Sequence, residues 1–284
     1  ILLRSYARLE DENTRRNVSR ALQALNDNIE TLNNTVGDWA SWDEMYGFVE
    51  NPDPEFIKAN FADSAFTELR LNMIAVLDSS GRNVFSKSFD LEVEQEVPLT
   101  EGIRNKLSSP GLRLEPSVKK EGRTGLVVLP EKIMLIASRP VLTSEGQGPM
   151  RGSLIMGRHL DSKLIARLAE KTHLNLSVYR TTDDQLPADF LAAKQGLAES
   201  NPFFVKPLNN NSIAGYTELK DVSGQPALLL RVDLPRDIFQ QGRISLRYLM
   251  VWLFVAGIVF SLITVLFLER LILARLVRLS GEVS

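Results

Sequence analysis

One stretch near the end of the chain, residues 248–268, reads YLMVWLFVAGIVFSLITVLFL and contains no charged side chain. At 1.5 Å of rise per residue, a helix of this length crosses the ~30 Å hydrocarbon core of a bilayer. Residues 1–247 before it are of mixed polarity, and residues 269–284 follow it. We therefore predict a membrane helix over 248–268, with most of the chain on one side of the membrane.

The chain begins with three apolar residues, Ile1, Leu2 and Leu3, and Arg4 follows at once. We interpret these residues as the end of an earlier hydrophobic span, and an ordinary apolar start is the alternative. With such a span, residues 4–247 form a loop between two membrane helices. Arginines are slightly more frequent just after the 248–268 span than just before it, which weakly favours a cytoplasmic end. We expect residues 1–247 to be periplasmic and residues 269–284 cytoplasmic, at the cell inner membrane.

The composition limits the kind of function. Apolar residues make up 44% and charged residues 24%, which is ordinary for a folded domain with its own core. The net charge of −2 argues against a nucleic-acid partner. Without cysteine there are no disulfides, thiolate zinc sites or thiol nucleophiles, which suits either the cytosol or a disulfide-free periplasmic domain. The two histidines have no metal-ligand spacing, and no G-x-S-x-G string is present. We expect no metal, cofactor or enzymatic activity in this region.

Residues 14–50 are predicted to form one long helix, which the prolines at 52 and 54 end. Apolar residues alternate spacings of four and three along it. These residues are Val18, Leu22, Leu25, Ile29, Leu32, Val36 and Trp39. Two interpretations stay open and are compatible: a core helix lying across a sheet, and a stalk that packs against a second copy. We expect a homodimer through this helix.

The remainder of residues 67–247 is predicted to be two antiparallel sheet units joined by a helix. Strand patterns with intervening turn signals define the first unit, at residues 72–77, 83–89, 125–129, 133–141 and 153–157. An amphipathic helix over residues 161–172 follows. The second unit has strands at 174–179, 213–219 and 227–232 and helices at 187–197 and 235–247. The fold class is α+β, with boundaries at 1–66, 67–160, 161–247, 248–268 and 269–284.

An acid interrupts the apolar pattern of the long helix at its far end. Continuing the spacing past Trp39 reaches Asp43 and then Tyr46, with Trp42 beside them. A carboxylate on an inward face is costly unless it is paired or hydrogen-bonded. Asp43 is therefore either a contact for a ligand amine between aromatic walls, or a structural group bonded to backbone or to an arginine of the sheet.

The string DWASWDEMYGF at residues 38–48 resembles the signature of the fourth class of CHASE domains. Phe56, the pair Asn60-Phe61, SRPVL at 138–142 and LIMGRHLD at 154–161 are also similar to that family. The resemblance covers roughly residues 15–160. It implies an extracytoplasmic sensory module between two membrane helices, the second of which leads through a HAMP relay to an output domain. Residues 271–283 resemble the start of a HAMP-type helix, although the usual early proline is absent.

The layout also resembles that of double-Cache sensors, which carry two PAS-like modules on one long helix. This resemblance implies a ligand in the membrane-distal module, under the sheet and against the long helix. The pocket would combine Trp39, Trp42, Asp43, Tyr46, Met73 and Arg139. Arg139 lies in an otherwise apolar strand, where it either holds a ligand carboxylate or pairs with Asp43 or Asp38. An amino acid or a small carboxylate would suit such a site.

Two functions follow from these patterns. The first is a sensor that binds a small ligand and relays a change through the membrane helix to an output domain beyond residue 284. That output would be a cyclic-di-GMP enzyme, a histidine kinase or a chemotaxis domain. The alternative is a membrane-tethered binding or scaffold protein without output. A gene that continues for about 100–150 codons past Ser284 would favour the sensor.

Overall fold

The chain divides into two compact units. A computed structural model describes residues 2–107, 122–183 and 185–268. The larger unit holds residues 14–208 and 213–234, and the smaller unit holds residues 209–212 together with both ends of the chain. The predicted α+β architecture, a long first helix with two antiparallel sheets and a C-terminal apolar helix, is confirmed.

The described residues contain helices α1 (Leu2–Ala40), α2 (Asp43–Glu50), α3 (Pro54–Asn60), α4 (Asp63–Leu69), α5 (Glu101–Leu107), α6 (Ser162–Thr172), α7 (Ala188–Gly196) and α8 (Asp237–Leu268). The strands are β1 (Met73–Asp78), β2 (Asn83–Asp90), β3 (Gln95–Val97), β4 (Arg123–Val128), β5 (Ile133–Val141), β6 (Gly152–His159), β7 (Asn175–Arg180), β8 (Phe204–Pro207), β9 (Ser212–Lys220) and β10 (Pro226–Pro235). The strands β3 and β8 and the helices α3, α4 and α5 had no counterpart in the sequence prediction.

Six strands form sheet A in the order β3-β2-β1-β6-β5-β4, and neighbouring strands are antiparallel. Both faces of its central strand are covered, since Met73 through Leu77 are all buried. Successive side chains of a strand point to opposite faces. Ile74 and Val76 therefore lie on the α1 side, in the same hydrophobic cluster as Val36. Met73 and Leu77 lie on the other side, in the cluster that contains α5.

Sheet B has the order β7-β10-β9-β8. Its inner face shares the α1 cluster through Leu228, Leu230 and Val232. Its outer face packs against α7, where Phe190 meets the ring of Tyr216 edge-on at 5.4 Å between centroids. The α1 helix thus supplies one continuous core to both sheets, and a short helix covers the opposite face of each.

The predicted helix over residues 14–50 is interrupted. It begins earlier, at Leu2, and α1 ends at Ala40 before α2 starts at Asp43. The backbone N–H of Leu142, the residue after β5, donates to the carbonyl of Ala40 at 3.1 Å, where the helix ends. The apolar positions of α1 pack inside the chain, because Val18, Leu32 and Val36 are all buried in the cluster shared with the sheets.

In the smaller unit, the start of α1 lies against the start of α8. The buried guanidinium of Arg236 donates to Glu10 Oε2 at 2.9 Å. A Cβ at Gly242 would lie 2.5 Å from the ring of Tyr6, so glycine permits this close approach. Of the described helices, α8 is the one long and apolar enough to cross a membrane. The HAMP-type stretch at residues 271–283 lies outside the described residues.

Candidate functional site

The predicted aromatic residues contact one another. Trp39 and Trp42 stack with ring centroids 4.9 Å apart, and Trp39 also stacks on Phe61 at 6.2 Å. Phe61 in turn stacks on Phe85 of β2 at 4.5 Å. Offset stacking at these distances is the arrangement that aromatic rings adopt in cores. These rings therefore use their faces in contacts with each other, under the α1 side of sheet A.

Asp43 and Tyr46 bind a loop between β5 and β6. The Asp43 carboxylate is exposed and accepts hydrogen bonds from the backbone N–H of Ser144 at 3.0 Å and from its hydroxyl at 2.8 Å. These bonds lower the pKa of Asp43, the backbone bond most strongly. Tyr46 donates its hydroxyl to the carbonyl of Pro149 at 3.2 Å, and the guanidinium of Arg151 covers its ring at 3.8 Å. The structural alternative, a carboxylate bonded to backbone, describes Asp43 here.

The other two predicted residues lie apart from these. Arg139 Nε donates to Asn33 Oδ1 on α1 at 2.8 Å. Met73 is on the opposite face of sheet A, because it alternates with Ile74 along β1. The six predicted residues are therefore divided between the two faces and do not line one pocket.

A cleft of 560 Å³ lies at one end of the strands of sheet A, where β1 and β5 begin and β2 and β6 end. Pockets for small molecules commonly have volumes of ~300–1,000 Å³. Buried Asn72, just before β1, holds this end of the sheet together. Its side chain donates to the carbonyl of Phe89 at 3.1 Å and accepts from the backbone N–H of His159 at 2.9 Å. The ends of β2 and β6 are thereby fixed beside the start of β1.

A smaller cavity of 70 Å³, which we call the chamber, adjoins the cleft beneath α5. Both spaces are lined by Asn72, Asp90, Glu131, Lys132 and His159, which we call the neck. The chamber has room for roughly five groups the size of a water molecule. Its apolar lining residues are Phe89, Val97, Pro98, Ile103 and Leu129, and Ser88 and Thr100 line it as well.

Ser88 is one of the polar residues that line the chamber. Its hydroxyl is buried, and it has no hydrogen-bond partner among the described residues. A buried polar group without a partner costs about 1–3 kcal/mol, so such groups call for a specific explanation. A ligand or water in the chamber would provide the missing bond.

The neck carries both signs of charge. Burial and the nearby charge of Lys132 lower the pKa of His159 to about 4, so its imidazole is neutral at pH 7. A hydrogen bond of 2.7 Å from the backbone N–H of Glu92 lowers the pKa of Asp90, which is therefore ionised. Lys132 and Glu131 are exposed, and neither has an ion-pair partner among the described residues. The neck can thus receive an ammonium group and a carboxylate at once.

Sequence reasoning missed this site because its residues are scattered over strand ends between residues 72 and 159. Neither Asp90 nor His159 belongs to a recognisable catalytic or metal-binding motif in the sequence. In the sequence, the charged residues of the neck are marked only by their position at the end of a predicted strand or just before one. Among the described residues, no group of three or more acidic or histidine side chains is placed to hold a metal ion.

Comparison with known proteins gives a family and a fold. Residues 24–179, more than half of the chain, match the family described as CHASE4 domain. The chain is 25% identical over 284 residues to the methanogenesis regulatory histidine kinase FilI of Methanothrix harundinacea (strain 6Ac). This match covers 100% of the chain and 31% of FilI, so the chain spans about a third of that relative's length.

Two solved structures are similar in backbone. A domain of a sensory box/GGDEF family protein from Vibrio parahaemolyticus has a TM-score of 0.50 at 14% identity, over 84% of this chain and 100% of that one. The periplasmic domain of Vibrio cholerae LuxQ has a TM-score of 0.48 at 14% identity, over 78% of this chain and 99% of that one. At 14% identity, the similarity to the Vibrio parahaemolyticus domain concerns the fold alone.

Proposed function

Because the chain belongs to the CHASE4 domain family, we propose that it is the sensory region of a transmembrane signal-transduction receptor that binds a small ligand at the neck. The single observation that carries the ligand proposal is the buried hydroxyl of Ser88, which has no partner among the described residues and lines a chamber that shares charged residues with a 560 Å³ cleft. The similarity to a histidine kinase along the whole chain supports the signalling role.

The chemistry of the neck favours a zwitterionic or carboxylate ligand. Lys132 would pair with a carboxylate, and Asp90 or Glu131 with an ammonium group. The neutral imidazole of His159 can both donate and accept a hydrogen bond. An amino acid with a small apolar side chain would place that side chain in the chamber. This ligand class is the one expected from the sequence, at a different place in the fold.

A sensor needs a path to its output. We propose that α8 crosses the inner membrane, that residues 1–247 are periplasmic, and that the output domain follows residue 284. A ligand that binds two conformations with different affinities shifts their equilibrium, and a coupling of ~1–3 kcal/mol is sufficient. A homodimer through α1 would have to use its outward face, which is mostly polar, because the apolar positions pack on the sheets.

A thermal-shift screen of the chain in lipid nanodiscs tests the binding proposal. Amino acids, organic acids and amines form the panel, since a ligand raises stability by mass action. Ser88→Ala should leave the unliganded protein equally or more stable, because it removes an unsatisfied group, yet it should weaken the hit. Lys132→Gln should weaken carboxylate hits most.

The matched controls are Asp43→Ala and Arg139→Ala, which alter the site predicted from sequence. Loss of the hit in these variants and not in Lys132→Gln would place the ligand on the α1 side of sheet A and overturn the neck as its site. The absence of any shift across the panel would contradict a small ligand of these classes. A gene that ends soon after residue 284 would favour the alternative, a membrane-tethered binding or scaffold protein.

A further inference from the structure

Three arginines from different elements lie close together near the end of α4. Arg158 on β6 donates from Nε to the carbonyl of Arg70 at 3.0 Å and from Nη2 to the carbonyl of Leu69 at 2.8 Å. Burial lowers the pKa of Arg158, and the positive charges of Arg167 and Arg70 lower it further. Like charges so placed destabilise one another unless an anion lies between or beside them.

Arg70 and Arg167 line a groove of 230 Å³ between α1 and α6. Its other charged residues are Lys171 of α6 and Asp27 of α1, which pair with each other at 3.7 Å. Arg70 and Arg167 are exposed, and neither has an ion-pair partner among the described residues. With three bases and one acid, the groove has a net positive charge. A guanidinium is well suited to bind carboxylate or phosphate oxygens in pairs.

The backbone at Arg70 adds an independent observation. Arg70 caps α4 in the left-handed conformation, with φ 52° and ψ 50°. Glycine is the residue that most often occupies this position after a helix, since any Cβ is disfavoured there. The chain nevertheless carries a long cation at this point, where its side chain reaches the groove. A functional use of the side chain would explain the arginine.

We propose that this groove is a second binding site, separate from the neck, and that it takes a small doubly charged oxyanion between Arg70 and Arg167. Phosphate and a dicarboxylate share this chemistry. Arg70 and Arg167 also line the cleft. Two lysines separate the sites, because Lys171 lines the groove and not the cleft, whereas Lys132 lines the cleft and not the groove.

Calorimetric titration of the chain in nanodiscs of neutral lipid tests this site, with sodium phosphate and sodium succinate as probes at constant ionic strength. We expect saturable binding of one ion per chain at up to low-millimolar concentration. Arg70→Gly and Arg167→Gln should each weaken it at least tenfold, and Lys171→Gln should weaken it severalfold. Arg16→Gln, which removes an exposed arginine of α1 that does not line the groove, is the matched control and should bind normally.

The variants also guard against loss of folding. Without added anion, Arg70→Gly should have a thermal midpoint equal to or above that of the unmodified chain, because glycine relieves the left-handed backbone and the charge repulsion. Tighter binding of phosphate would identify a phosphoryl group as the natural anion, and tighter binding of succinate a dicarboxylate. Stabilisation by both salts that is equal in all variants would be a general salt effect and would overturn the site. Weaker binding in Lys132→Gln but not in Lys171→Gln would assign the ion to the cleft and equally overturn it.

Discussion

The neutral state of His159 predicts that acid weakens the fold well above the pH at which carboxylates titrate. The perturbation is a change from pH 8 to pH 5. His159 on β6 faces Lys132, Asp90 and Asp161, and burial outweighs the attraction of the two acids, so its pKa falls from 6.5 to about 4. In the unfolded chain the imidazole returns to its ordinary value.

The sign follows from which state binds the proton. Between pH 6.5 and 4, the unfolded chain protonates this histidine while the folded chain does not, so acid favours unfolding. The stabilisation is complete above pH 6.5 and is lost as the pH falls towards 4. The whole difference corresponds to about 3 kcal/mol, of which about 2 kcal/mol is lost by pH 5. Ordinary aspartates, with a pKa of about 3.9, remain mostly ionised between pH 8 and pH 5.

Urea unfolding in nanodiscs measures this loss through tryptophan fluorescence. Trp39 and Trp42 report on sheet A and its aromatic cluster, whereas Trp252 lies in α8 and should add a constant background. With a slope of about 2–3 kcal/mol per molar urea, the midpoint should fall by roughly 0.7–1 M between pH 8 and pH 5. His159→Gln should remove most of this dependence.

The second histidine provides the control. His173 is exposed and caps α6 in the left-handed conformation, which asparagine also tolerates. His173→Asn should therefore keep the full pH dependence of the unmodified chain. If the urea midpoint of His159→Gln fell between pH 8 and pH 5 by as much as that of the unmodified chain, the assignment of a neutral, buried His159 would be refuted.

Two further substitutions test the packing of the sheets by the same urea measurement. Gly215→Ala would bring a Cβ to within 2.5 Å of Val18 and should cost about 1–3 kcal/mol, whereas Gly47→Ala faces open space in a helix and should be neutral or stabilising by up to ~1 kcal/mol. Tyr216→Phe removes a hydroxyl that donates to Asp189 at 2.6 Å, and should cost about 1.5–3 kcal/mol because the acceptor is charged. A neutral result for either Gly215→Ala or Tyr216→Phe would contradict the contact concerned.

Local patterns predicted most of the longer elements, but not β3, β8, α3, α4 and α5, nor the break in the long helix. The spacing of Val18, Leu32 and Val36 identified the buried side of α1, and the strands were placed within a few residues of their observed ends. The helix ends at Ala40, whose carbonyl accepts from the backbone N–H of Leu142 just after β5, and Asp43 accepts from Ser144. Those contacts join residues about a hundred positions apart, so no local spacing reveals them.

For a related reason, the sequence did not indicate the neck. Aromatic residues near an acid are typical of a pocket, but here Trp39 stacks on Trp42 and on Phe61, which follows α3. Phe61 in turn stacks on Phe85 of β2. Because side chains alternate along a strand, the sequence shows that Met73 and Ile74 lie on opposite faces of a sheet. It does not show which helix covers each face. To predict the neck, one would need to know the order of β1, β2, β5 and β6 in the sheet, and a single sequence does not determine that order.

The two faces of sheet A are covered by helices that bury very different numbers of apolar side chains. On one face, α1 contributes many buried apolar side chains, among them Val18, Leu25, Leu32 and Val36, and the same side chains also serve sheet B. On the other face, α5 buries two, Ile103 and Leu107. At about 1.5–3 kcal/mol for each buried aliphatic side chain, α5 is held by roughly 3–6 kcal/mol before the entropy of ordering it is subtracted. The energy of a small ligand is comparable to that net amount and far below what displacing α1 would need. If the proposed ligand binds in the chamber, its binding energy is therefore sufficient to shift α5 but not α1, and this difference adds to the reasons to test for sensing on the α5 side.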